Sequence, residues 1–133
     1  QNFAAERVDR GGDRMVPLGV RMNIVLDLAR RGCYLEYDLF GIESSYYPLV
    51  PDTDMPSDAQ RMDAIGRLIE EGHGERVVIA QDICSKHRLV KYGGHGYAHV
   101  LENIVPRMRE KGFSEEDIRA ITVTNPARVL TFA

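Results

Sequence analysis

The sequence has little of what several protein classes require. Only two cysteines, Cys33 and Cys84, occur in 133 residues. They are too few for a disulfide scaffold and lack the spacing of a zinc knuckle, so both are expected as small, partly buried thiols in a reducing compartment. No apolar run approaches the ~20 residues of a membrane span. The first residues, QNFAAERVDRGGDR, have neither the basic start nor the apolar stretch of a secretory signal, and a cytoplasmic location is the expectation. Positive charge is not in excess either. The net charge of −3 gives no field for wrapping nucleic acid, so neither nucleic acid nor a membrane is expected as a partner. The chain opens on Gln1 rather than Met, which reads as a processed or partial product.

What is present is the balance of an ordinary globular segment, 44% hydrophobic and 28% charged. We read residues 1–133 as a single αβ segment without an internal boundary. Residues 1–20 show no clear period and read as loop, with a strand remnant at the start. In RMNIVLDLARRG, Met22, Val25, Leu26 and Ala29 fall on one helical face, and Gly32 follows as a stop. CYLEYDLFG alternates like a strand. Ser57 with Gln60 has the signature of a capping box, and Met62, Ile65, Leu68 and Ile69 continue it as an amphipathic helix. RVVIAQD is a short apolar run of the kind expected of a strand covered on both faces. Beyond it, Val100, Leu101, Ile104, Val105 and Met108 share a broad helical face, with Pro106 as the point of a kink. Ser114 with Asp117 opens a short helix, and Asn125 before Pro126 reads as a cap followed by a first-turn proline.

Alternating helices and strands, joined right-handedly, give parallel strands whose carboxyl ends share one edge, and that edge carries the ligands in such folds. Asp38 and Asp82 both lie there. Taken alone, an aspartate after an apolar strand is more often a turn former than a ligand. Glu36 and Asp38 share a strand face, but paired acid and base carboxylates usually come from different strands. Glu36 is therefore expected to point inward and be paired, with Asp38 shaping a substrate pocket. Gly93, Gly94 and Gly96 read as a mobile loop, and GGHG does not open a helix as a phosphate-binding fingerprint would. His87, His95 and His99 share no ligand spacing on one element and read mainly as surface histidines. Lys91, His95 and Tyr97 are the candidates for a lid or substrate contact, because their loop follows the Asp82 strand.

Four stretches carry a resemblance. GCYLEYDLFGIE (32–43), Asp-Met-Pro (54–56), RVVIAQDICSKHRLVKYGGHGYAHVLENIVP (76–106) and ITVTNPARVLTF (121–132) resemble the later part of the phosphotriesterase family, in its phosphotriesterase-related branch. The resemblance implies an α/β fold that is the C-terminal portion of a (β/α)8 TIM-type barrel of the amidohydrolase superfamily, contributing its last two or three βα units. A closed barrel takes ~250 residues, more than this chain supplies. The resemblance further implies two divalent metal ions, usually zinc, activating a hydroxide against an ester, lactone, amide or phosphotriester of a small-molecule substrate. Asp82 then stands at the end of the eighth strand as a metal ligand and a catalytic proton acceptor. The family's remaining ligands, histidines and a lysine from earlier strands, have no counterpart here. Its sixth-strand Ser-His-x-Asp-Arg is met by Glu6-Arg7-Val8-Asp9-Arg10, with arginine in the histidine's place.

Two functional readings follow. In the first, the segment supplies Asp82 and substrate loops to a metal-dependent hydrolase. In the second, it is a non-catalytic truncated barrel fragment that folds only as a homo-oligomer or beside a partner covering its open strand edges.

Overall fold

The computed structural model describes residues 3–4, 18–43, 46, 51–52 and 54–131. The Glu6–Arg10 stretch, where the resemblance breaks, lies outside them. Three parallel strands form one sheet in the order β1 (Phe3–Ala4), β2 (Leu35–Tyr37), β3 (Val77–Ile79). Leu35 is in register with Phe3 on one side and Val77 on the other. Pairing of the last two strands continues past their ends, where Ala80 N–H donates to Tyr37 O (3.0 Å) and Phe40 N–H to Ala80 O (3.1 Å). Both the strand remnant at the start and the parallel arrangement are as the sequence indicates.

Helix α1 (Leu18–Arg30) joins β1 to β2, and α2 (Asp58–Glu70) joins β2 to β3. The α2 boundary is set by Ser57, whose Oγ accepts from Gln60 N–H (3.2 Å) while Gln60 Oε1 accepts from Ser57 N–H (2.8 Å). Each helix lays its apolar stripe on the same face of the sheet. Met22, Leu26 and Ala29 from α1, Met62, Ile65 and Leu68 from α2, and Leu35, Tyr37 and Val77 from the strands form one buried cluster. Each large side chain there contributes about 1.5–3 kcal/mol by leaving water. The alternation along β2 turns Leu35 and Tyr37 into this core and Glu36 to the opposite, half-covered face.

After β3 the chain is helical. Residues 100–110 and 115–130 form two helices, each with a widened turn, Val100–Ile104 and Ala120–Thr124, followed by the regular segments α3 (Val105–Glu110) and α5 (Asn125–Leu130); α4 (Glu115–Arg119) opens the second helix. The same cause acts twice. Pro106 and Pro126 bring no N–H, and just before each the ladder slips by one residue, with Val105 N–H reaching Val100 O and Asn125 N–H reaching Ala120 O. The irregularity expected at Pro106 is thus a widened turn. Ile104, Val105 and Met108 enter the core as their spacing predicts, but Leu101 is 67% exposed, because the widened turn rotates it off the stripe.

The sequence reading of Asn125 as a helix cap is corrected. Asn125 lies inside a continuous helix with helical backbone angles, is 1% exposed, and its Nδ2 donates to Gly74 O (2.8 Å) and Val77 O (2.7 Å). One amide thereby holds the last helix to the start of β3. Cys84 is also exposed rather than partly buried, and both cysteines are free. No helix among the described residues is long and apolar enough to cross a membrane.

Removing the Asn125 amide strands two carbonyls at the root of β3. Asn125→Ala is expected to cost about 2–4 kcal/mol of stability, read as a lower urea midpoint at unchanged slope. A midpoint equal to that of the parent protein would contradict this assignment.

Candidate functional site

The carboxyl ends of β2 and β3 meet at one rim. There the backbone twice enters the left-handed region at residues other than glycine, at Leu39 (φ 64°) and Asp82 (φ 46°). Such a conformation costs about 1–2 kcal/mol for an L-residue and persists only where its surroundings hold it. Each outlier marks a strand end beside a carboxylate. Asp38 Oδ1 accepts the Leu39 N–H (2.5 Å), and Asp82 turns the chain out of the sheet.

Three acids share this rim. Burial raises the Glu36 pKa above its ordinary 4.5, and the neighbouring charges of Asp38 and Asp82 raise it further. Burial likewise raises Asp38 above 3.8; the Leu39 N–H lowers it, Asp82 raises it, and the Arg88 and Arg61 guanidinium groups lower it. Glu36 was expected to be paired. Instead, among the described residues, its carboxyl has no hydrogen-bonded or ionic partner and faces two like charges. Asp82 itself is exposed on this rim.

A second cluster underlies the rim. Asp58, in the first turn of α2, is 2% exposed. Its carboxylate accepts from Gly41 N–H (3.0 and 3.2 Å), Arg61 Nη1 (3.3 Å) and His99 Nε2 (2.8 Å). Asn103 Nδ2 lies 3.1 Å from His99 Nδ1, so the ring is hydrogen-bonded at both nitrogens, with Nε2 as donor to the carboxylate. Arg61 also donates to Pro56 O and Ile42 O. Glycine is required at 41, since its φ is 86° and a Cβ would come within 3.1 Å of His99 and 3.3 Å of His95.

The sequence-derived residues fall into separate groups. Asp38 and Asp82 are brought together. His95 is exposed at the rim and stacks on His99, ring centres 4.2 Å apart. Lys91 is exposed and lies over the Tyr92 ring. Tyr97, 74% exposed, stands on the other side of β3, lining a cleft of about 250 Å³ with Ile79, Ala80, Gln81, Leu101 and Thr122. None of the three rim carboxylates lines that cleft. His99, read from sequence as a surface histidine, is a buried anchor; its place one turn before Asn103 was the available signal. The Arg88 bond to Phe40 and the Asp58 bonds to Gly41 and His99 carried no local signal, because those partners are 48, 17 and 41 residues away. Among the described residues, no three His, Cys, Asp or Glu side chains converge closely enough to hold a metal ion.

Residues 15–130 match the Phosphotriesterase family. The chain is 54% identical over 110 residues to the N-acetyltaurine hydrolase of Dictyostelium discoideum, covering 83% of this chain and 30% of that protein. It is 52% identical over 111 residues to a phosphotriesterase-related protein of Drosophila mojavensis, covering 84% and 32%. Among solved structures, a resiniferatoxin-binding protein from Rhodobacter sphaeroides superimposes with a TM-score of 0.77 at 34% identity, covering 85% of this chain and 31% of that one. The chain therefore spans about a third of the length of these relatives.

The raised pKa values of Glu36 and Asp38 mean that folding favours their protonated forms. Their contribution to stability is fully present below the ordinary values of 4.5 and 3.8 and is lost as pH rises through the raised ones. With chelator present, Glu36→Gln is expected to raise the melting temperature by a few degrees at pH 7 and to leave it near the parent value at pH 4. Equal shifts at both pH values would contradict the electrostatic origin.

Proposed function

We propose, from the premise that the chain belongs to the phosphotriesterase family, that it forms the Asp82-bearing wall of a metal-dependent hydrolase site cleaving a small N-acylated substrate at its amide bond. The fold is the C-terminal portion of a (β/α)8 barrel, and Asp82 occupies the strand rim where such barrels carry their chemistry. The mutual repulsion of Glu36, Asp38 and Asp82 along one strand rim carries the reading. Mutually repelling carboxylates, two of them with raised pKa values, are an arrangement that a bound divalent cation would relieve.

The residues present fit one carboxylate's share of a metal centre. Asp82 would be the ligand, with the remaining ligands supplied from outside the described residues. When bound, divalent metal, zinc by the family's usage, supplies an acidified water and polarises the scissile carbonyl. The Asp82 carboxylate would take the proton of the attacking water on Oδ and pass it to the departing amine nitrogen as the C–N bond breaks. Asp38 would border the acyl group.

The relative from Dictyostelium discoideum is named for hydrolysis of N-acetyltaurine, an acetamide carrying a sulfonate. The segment after β3 suits such an anion, since Lys86, Lys91, His87 and His95 lie within ten residues of one another. Lys91 and His95 would meet the sulfonate, whereas Tyr97, expected from the sequence to contact substrate, lines the separate cleft.

Asp82→Asn in the full protein is the test. Turnover of N-acetyltaurine is expected to fall by about 10²- to 10⁴-fold with the melting temperature nearly unchanged. Turnover equal to the parent protein's would end the reading.

A further inference from the structure

Arg88 and the glycines of the 93–96 loop have no part in the mechanism above. Arg88 is 7% exposed, and among the described residues it makes no ion pair. Its guanidinium instead donates to two backbone carbonyls, from Nη1 to Asp82 O (2.6 Å) and from Nη2 to Phe40 O (2.9 Å). Those carbonyls lie just past the ends of β3 and β2. A buried charge hydrogen-bonded only to carbonyls, with Asp38 near enough to feel it but not in contact, is expensive unless it is needed where it stands.

Asp82 supplies the need. Its left-handed backbone requires an external hold, and its own carbonyl is the group that Arg88 grips. The loop grips Arg88 in turn. Gly96 N–H donates to Arg88 O (2.9 Å), and a Cβ on Gly94 would fall 2.1–2.3 Å from the Arg88 carbonyl carbon, oxygen and Cα. Gln81 Nε2 donates to Gly96 O (2.7 Å), tying the loop to the residue before Asp82. The ring Gln81, Gly96, Arg88, Asp82 is closed, and glycine serves at 94 by close approach rather than by freedom of motion.

We propose that Arg88 is a positioning residue for Asp82, fixing its backbone so that the carboxylate is held at the strand rim, and that Gly94 and Gly96 seat the Arg88 backbone from which the guanidinium reaches. This rests on the reading of Asp82 given under Proposed function. Arg88→Lys keeps a charge but cannot span both carbonyls, whereas Arg88→Met removes the charge.

The experiment compares both variants and Asp82→Asn in the full protein. It measures kcat and KM for N-acetyltaurine, the affinity of metal-stripped protein for zinc alone by chelator competition, and thermal melting. In Arg88→Lys, kcat and zinc affinity are each expected to fall about 10- to 100-fold, with KM within ~3-fold of the parent. Methylguanidinium is expected to restore part of the kcat lost in Arg88→Met. Parent-like kcat and zinc affinity in Arg88→Lys, with Asp82→Asn inactive, would overturn this inference alone. Loss of the fold in both Arg88 variants would also overturn it, because the guanidinium would then be a fold element. An active Asp82→Asn would overturn the inference together with the reading beneath it.

Discussion

The buried carboxylate of Asp58 is where three parts of the chain are joined. It belongs to the first turn of α2, takes the backbone N–H of Gly41 from the turn after β2, and takes His99 from the end of the loop after β3. Removing a carboxylate from water costs several kcal/mol. Here Gly41, Arg61 and His99 repay it together, aided by the positive end of the helix. Such a cluster is close to all-or-none, because losing one donor leaves a buried charge uncompensated. The rim above it inherits that rigidity.

Hydrophobic gain and crowded like charge are divided between the two faces of the sheet. On one, Leu35, Tyr37 and Val77 meet the apolar stripes of the helices and carry the hydrophobic gain. On the other, and at its rim, Glu36, Asp38 and Asp82 crowd like charges, and Leu39 and Asp82 hold left-handed backbone. Both features oppose folding. They are tolerated because the helical face, the Asp58 cluster and Arg88 over-determine the positions of the strand ends. A parallel arrangement makes the division possible, since all its strands finish at the same rim.

Local grammar made much of this legible. The capping boxes at Ser57 and Ser114, the stripes of α1 and α2, and the strands around Leu35 and Val77 are set by neighbours within a few residues, and the structure has them where the sequence indicates. The same local signal puts Asp82 at a strand end, where the structure has it, but by itself it reads as a turn former; its metal role was implied only by the family resemblance. The misreadings share the opposite cause. Asn125 looks like a cap beside a proline, but its partners are 51 and 48 residues away. His99 looks like a loop histidine, but its carboxylate is 41 residues away. Arg88 bonds Phe40 across 48 residues, and the glycines that seat it look like a hinge until the backbone packs against them. Long-range hydrogen bonds leave no period in a sequence.

A diffraction experiment on zinc-loaded crystals of the full protein, collected on both sides of the zinc absorption edge, is the most direct measurement of the Asp82 assignment. The expected result is an anomalous peak at coordination distance, about 2.0–2.2 Å, from an Asp82 carboxylate oxygen. A zinc ion bound elsewhere, with the Asp82 carboxylate turned away into solvent, would contradict it.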